Sequence, residues 1–273
     1  MSELEAIKKS DLPCTREKIT IDLRSLGLKE GDVVVVHSSL SSLGWVCGGA
    51  VAVVQALIDV IGKDGTIIMP SQTGDYSDPC YWESPPVPKE WWKTIKETMP
   101  AFNEKITPSL GMGKIAETFR NFPNVIRSSH PQVSFTGWGK FAKELLKNHP
   151  LDYGLGKNSP LDKLYNLDID SKILLLGVSY DSNTSFHLAE YKMPNVKKVK
   201  NGSPIIERGS RIWKEYKDIE LNTDLFLNIG RDFEKEYQVH IGLVGSAETR
   251  VLSLKDSINF AEKWLLNYKN TNQ

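Results

Sequence analysis

His187 and Glu190 stand three residues apart in Asn183-Thr-Ser-Phe-His-Leu-Ala-Glu-Tyr191, shortly after the apolar run Lys172-Ile-Leu-Leu-Leu-Gly177. An i, i+3 spacing brings an imidazole and a carboxylate onto one face of a helix. There the carboxylate can fix the ring's tautomer and leave the other nitrogen to act as a base. The apolar run reads as a buried strand, so the pair would open a helix at the carboxyl edge of a sheet. Open α/β sheets hold their ligands at that edge. The chemistry implied is deprotonation of a bound substrate. A half-buried structural couple would show the same spacing, so the pair needs support from elsewhere in the chain.

A second set of residues could receive an anion. His37-Ser-Ser-Leu-Ser-Ser-Leu-Gly44 and Trp45-Val-Cys-Gly-Gly49 join Val33-Val-Val-Val36 to the apolar stretch Ala50–Ile61. Two hydroxyl pairs and three glycines at a helix start can cradle a pyrophosphate, although tight-turn geometry alone would also want the glycines. The text is neither GxxxxGK[ST] nor GxGxxG. Arg127-Ser-Ser-His-Pro131 offers a guanidinium, hydroxyls and a rigid turn, and Tyr153-Gly-Leu-Gly-Lys-Asn-Ser-Pro160 a glycine turn into a helix. Ser38 and Ser39 lie outside any GxSxG elbow. Cys47 reads as a packed thiol, His37 as a hydrogen-bonded core residue, His130 as a possible ligand contact, and His149 and His240 as surface residues.

The elements that would position these groups alternate. Thr15 can cap a helix carrying Ile19, Leu23 and Leu26, stopped by Gly27. Val33–Val36 and Thr66–Met69 read as strands around the 50–61 helix, a right-handed βαβ unit. Residues 71–108, rich in Pro, Trp, Tyr and acidic residues (Asp75, Asp78, Trp82, Glu83, Pro85, Pro86, Pro88, Trp91 and Trp92), form an irregular insertion too long for a mere connection and too aromatic for a disordered linker. Helical patterns follow at 111–121 and 138–148, then the 172–177 strand, a hairpin over 204–220 turning at Arg208-Gly209, and a closing helix over 254–268. The predicted fold is α/β: one three-layer domain over residues 1–273, a central mixed sheet flanked by helices.

Whole-chain properties narrow the function. Lysine plus arginine equals aspartate plus glutamate at 34 each, so no global field attracts nucleic acid. No apolar run approaches a membrane span, and the charged first ten residues lack a signal core. Three scattered cysteines suggest a reducing compartment and no zinc site. A cytoplasmic protein without a metal is expected.

Taken together, His37–Gly44 with Gly48-Gly-Ala50, Arg127–Pro131, Gly154-Leu-Gly156 with Ser159-Pro-Leu161, and Thr184–Glu190 resemble the aminoglycoside 3-N-acetyltransferase family, which is distinct from the GNAT superfamily. Gly245-Ser-Ala247 and the Phe260–Trp264 helix also fit, so the likeness covers roughly residues 15–266. The insertion text Ser77-Asp-Pro79 and Pro85–Trp92 is similar to a branch of that family found in Bacillus. The resemblance implies transfer of an acetyl group from acetyl-CoA to the 3-amino group of a 2-deoxystreptamine ring. It implies His187 as general base, Glu190 as its orienting partner and Thr184 as a donor to the thioester oxygen. Ser38, Ser39 and Leu40, with Gly49, Ala50 and Val51 at the helix start, would hold coenzyme A, completed by Arg127, Ser128 and His130. A cationic acceptor would suit Asp75, Asp78, Trp82 and Glu83, unless those carboxylates only cap turns. Acyl transfer to another amine, such as an amino sugar or aminophosphonate, and a non-catalytic nucleotide-binding module stay open, and a homodimer is compatible with either.

Overall fold

The valine run at 33–36 has branched Cβ atoms throughout, which disfavour helix and pack well on a pleated surface. It forms the central strand of the molecule. In chain order, α1 (Glu3–Lys8) and α2 (Arg16–Ser25) precede β1 (Val33–Ser38), α3 (Gly49–Ile61) and β2 (Thr66–Pro70). Next come α4 (Trp92–Thr98), α5 (Gly113–Arg120), β3 (Ile126–Arg127), β4 (Phe135–Gly139), α6 (Ala142–Leu146) and α7 (Pro160–Tyr165). The chain continues through β5 (Ser171–Leu176), α8 (His187–Lys192), β6 (Lys198–Glu207) and β7 (Ser210–Ile219). It closes with α9 (Phe226–Glu236), β8 (His240–Val244), β9 (Ala247–Ser253) and α10 (Leu254–Thr271). This computed structural model describes residues 3–8, 10 and 12–271. Met1, Ser2, Lys9, Asp11, Asn272 and Gln273, counted in the expected 1–273 domain, lie outside the described residues.

Seven strands make one mixed sheet in the order β3-β4-β2-β1-β5-β9-β8. β1 runs parallel to β2 and β5, and the outer pairings are antiparallel. Alternation along the central strands supplies both faces. Val34, Val36, Ile67, Met69, Leu174 and Leu176 pack with α2, α3 and α5. Val33, Val35, Ile68, Ile173 and Leu175 pack with α6 to α10 on the other side. Burying such a side chain is worth roughly 1.5–3 kcal/mol, so two such faces hold the three layers together. Thr15 caps α2 by accepting the Lys18 N–H, as its position predicts.

The βαβ unit, the 172–177 strand, the hairpin with Arg208 and Gly209 at positive φ, and the last helix match the sequence reading. The 138–148 helix does not: Trp138 and Gly139 belong to β4, paired with Ile67 and Thr66, and only 142–146 is helical. Strands β3, β8 and β9 and helix α9 are additions that the sequence reading did not contain.

From β1 the chain turns to the α3 face, and from β5 it turns to the α8 face. Two adjacent parallel strands whose connections leave in opposite directions open a crevice at their carboxyl ends. The 71–108 insertion rises beside it as short 3-10 turns and α4, and its neck is closed by one side chain. Arg127 donates from Nη2 to the Ser71 carbonyl at 2.6 Å and from Nη1 to the Thr107 carbonyl, while its Nε reaches Ser134 Oγ at 2.9 Å. The β6–β7 hairpin packs on the insertion: Phe102 N–H donates to the Pro204 carbonyl and Tyr81 OH to that of Lys200.

Candidate active site

The crevice between the ends of β1 and β5 is a cleft of about 800 Å³. Ser38, Ser39 and Leu40 line it from the turn after β1, and Asp181, Thr184 and His187 from the connection after β5. Gly111-Met-Gly-Lys114, at the start of α5, contributes a further wall. Leu40, Gly49 and Lys114 also border a second groove, continued by Ala50, Val51 and Phe122. The two share a rim at the amino end of α3, where Gly48 adopts a left-handed conformation that turns the chain into the helix. Free N–H groups there suit an anion.

Two 3-10 turns, Tyr180–Ser182 and Thr184–Phe186, fold the β5–α8 connection back over the strand ends. Asn183 Oδ1 accepts the Ser185 N–H and fixes the second turn. His187 is the first residue of α8 and is 8% exposed. Its Nδ1 lies 2.5 Å from Glu190 Oε2, and the other carboxylate oxygen accepts the Asn222 backbone N–H at 2.9 Å. A carboxylate only accepts, so the shared hydrogen belongs to Nδ1 and the lone pair to Nε2. The Phe226 ring, 4.9 Å away, covers one side of the imidazole. Both oxygens of Glu190 are thus committed, one to the base and one to the chain that follows the hairpin.

His37 also borders the cleft, but it is not the hydrogen-bonded core residue expected. It is buried and its Nε2 has no hydrogen-bond partner. Burial, helped by the nearby His187, pushes its pKa down to about 3 and keeps the ring neutral.

Three residues expected at the coenzyme are turned to other work. Arg127 closes the neck of the insertion. His130 Nδ1 accepts the Gln132 and Val133 N–H groups, and its Nε2–H donates to the Leu151 carbonyl. Ser128 accepts the Phe135 N–H and donates to His149 Nδ1. His149 is therefore buried, not a surface residue, with its Nε2–H on the Gly154 carbonyl at 2.6 Å. These groups border neither groove because their hydrogen-bonding capacity is spent inside the fold.

The acidic and aromatic residues expected at the acceptor also stand apart from the cleft lining. Lys96 holds Asp78 at 2.5 Å, Trp82 Nε1 donates to Ser77 Oγ, and Asp75 and Glu83 are exposed on the insertion. Cys47 is exposed, whereas Cys14 is the packed thiol. Residues that sequence reasoning missed are Lys114, Asp181 and Thr223 on the lining and Asn222 behind Glu190. Only Lys114 had a usable signal, the Gly-Met-Gly that precedes it at a helix start. Among the described residues no cluster of His, Cys, Asp or Glu could hold a metal ion, and no helix is long and apolar enough to cross a membrane.

A mixed sheet with an anion-friendly cleft and an imidazole–carboxylate pair at its carboxyl edge defines an α/β enzyme built around an extended ligand. The chain belongs to the aminoglycoside 3-N-acetyltransferase family, whose model matches residues 35–266. It is 52% identical over 267 residues, 97% of each chain, to the SPbeta prophage-derived aminoglycoside N(3')-acetyltransferase-like protein YokD of Bacillus subtilis (strain 168). The crystal structure of YokD matches with a TM-score of 0.97, covering 99% of this chain and 100% of that one. AAC-IIIb, solved as a binary complex with CoASH, is 28% identical with a TM-score of 0.82 over 93% of this chain and 97% of its own. AAC-VIa bound to sisomicin is 28% identical with a TM-score of 0.83 over 93% and 98%. The expected family, its Bacillus branch, the α/β fold and the enzyme class are borne out.

Proposed function

We propose that the described chain is one acetyltransferase unit that moves the acetyl group of acetyl-CoA to the 3-amino group of the 2-deoxystreptamine ring in an aminoglycoside. The observation that carries this is the imidazole of His187, with Nε2 unclaimed, in the same cleft as the serine-rich turn and the start of α3. A CoASH-bound and a sisomicin-bound relative of closely similar fold support both substrates. The thioester supplies an activated acyl carbon. His187 Nε2 takes a proton as the acceptor nitrogen bonds to that carbon. Glu190 holds the ring and its tautomer, and Thr184 donates a hydrogen bond to the thioester oxygen as charge builds on it. The carbon–sulfur bond breaks and the proton on His187 returns to the sulfur. Ser38–Leu40 and the start of α3 hold the pantetheine and phosphates, with the second groove continuing their path. A neutral amine is required, so a base near the acceptor is the central need.

Release of free thiol from acetyl-CoA in the presence of sisomicin tests the reading. His187→Ala should abolish turnover and leave coenzyme A affinity within a few-fold. Undiminished turnover in that variant removes the mechanism, and no turnover in the unaltered protein with any aminoglycoside removes the acceptor.

A further inference from the structure

Gly154 and Gly156, in the turn at 153–160, border neither groove. Gly156 makes room for a side chain instead, since a Cβ there would lie 2.7 Å from Tyr191 Cδ1. The turn is stitched to β7 on both sides of Lys217. Tyr153 N–H donates to the Lys217 carbonyl and Lys217 N–H to Asp152 Oδ1, each at 2.8 Å. The next residue of β7, Asp218, is buried, and its Oδ1 accepts from Tyr191 OH and, at 2.9 Å, from the Ile219 N–H. No lysine or arginine pairs with it among the described residues. A buried carboxylate without a cation is costly, and a hairpin strand could end as well on a neutral residue. The phenol that Asp218 holds is what the acid is there for.

Tyr191 follows His187 by four residues, so the two share one face of α8, a turn apart. That helix has six residues, too few to stand alone in water, and its rotation must be set by whatever grips it. We propose that Gly156 and Asp218 form a socket for Tyr191 that fixes the rotation of α8, which makes Tyr191 and Asp218 positioning residues for the base. The proposal rests on the function given above for what the base does, and on the socket alone for how it is aimed. Glu190 and Asn222 settle which nitrogen of His187 carries the hydrogen, whereas the socket settles where the helix points the ring. A displacement of about 1 Å at a reacting group can cost about 10²-fold in rate, so a grip one turn away has leverage.

Full-length Tyr191→Phe, Gly156→Ala, Asp218→Asn and the double variant Gly156→Ala/Tyr191→Phe are assayed for thiol release from acetyl-CoA with sisomicin, and titrated with coenzyme A by calorimetry. Tyr191→Phe and Gly156→Ala should each lower kcat about 10–100-fold, with the KM for sisomicin and the coenzyme A affinity held within about threefold. The double variant should be no slower than the worse single one, because both changes open the same grip. Asp218→Asn keeps an acceptor oxygen for Tyr191 and should retain most of the rate. Nitrogen-15 spectra of histidine-labelled protein, with the His187 signal assigned by its loss in His187→Ala, should show that ring altered in Tyr191→Phe and little changed in Asp218→Asn. A kcat within about twofold of the unaltered protein in both single variants overturns the socket. So do losses that multiply in the double variant, coenzyme A affinity that falls along with kcat, or a His187 signal that is the same in every variant. If the His187 signal responds but the unaltered protein transfers no acetyl group, the socket stands and the proposed function falls.

Discussion

Replacing Glu190 with glutamine keeps the shape of the side chain but removes its ability to accept at both ends. In the native arrangement Oε2 accepts from His187 Nδ1 at 2.5 Å and Oε1 accepts from Asn222 N–H at 2.9 Å. An amide has one oxygen and one NH₂. If the oxygen faces Asn222, the NH₂ faces Nδ1 and forces the hydrogen to Nε2, which removes the lone pair from the reacting side. If the oxygen faces His187, two donors meet at Asn222 and the loop must move. Losing a hydrogen bond to a charged group costs about 1.5–3 kcal/mol, or roughly 10–100-fold. Fixing the wrong tautomer in a comparable histidine–carboxylate couple costs about 10⁴-fold. The kcat of Glu190→Gln should therefore fall between about 10² and 10⁴-fold. Glu190→Ala, which frees the ring without inverting it, should fall less. Thiol release under saturating acetyl-CoA measures both, and calorimetry with coenzyme A checks that the cleft is intact. If alanine proves worse than glutamine, or if glutamine costs less than threefold, the tautomer argument is wrong.

Arg127→Met should leave the Thr107 carbonyl without its donor at the neck of the insertion, lowering stability to urea by about 2–4 kcal/mol; a loss below about 1 kcal/mol would contradict the clasp. A second expectation concerns acid. Burial pushes the pKa values of His37 and His130 down from 6.5 to about 3 and that of His149 to about 4, the first two also by a neighbouring histidine and the last by Lys163. The unfolded chain takes up these protons as pH falls through 6.5, and the folded chain refuses them until about pH 4 to 3. Stability is therefore complete above 6.5 and drains between 6.5 and that lower limit. Each ring should cost roughly 1 kcal/mol between pH 7 and 5.5. Urea midpoints across that range should fall, His149→Gln should flatten the fall by about a third of its slope, and a flat profile in the unaltered protein would refute the argument.

The centre of the molecule was legible because its signals are local. Four consecutive valines admit one structure, and an apolar helix bounded by glycines must cover them. β4 was hidden because Phe135-Thr-Gly-Trp-Gly139 lacks β-branched alternation. Gly137 is there for space: a Cβ would lie 2.7 Å from Ile68 Cδ1 and 2.9 Å from Leu146 Cδ1. The placement of His187 beside Glu190 could be read from spacing alone. The true partners of Arg127, His130 and Ser128 could not, since a guanidinium or imidazole written in a turn suits a phosphate as well as a carbonyl. Which one it meets depends on Ser71, Thr107 and Leu151, far away in sequence. Asp181 carries no pattern at all, and only the folded-back turns reveal it.

Both feet of the long excursion between residues 71 and 107 stand on one guanidinium, and Leu110 N–H, just past the second foot, adds a stitch to the Gln72 carbonyl next to the first. The sheet therefore feels the gap between the feet and little of what is strung between them. Closing a longer loop costs only slowly more, about 0.6 kcal/mol per doubling. Relatives could exchange this cap for shorter or longer ones, and an engineer could graft one, without touching the strands that carry the base.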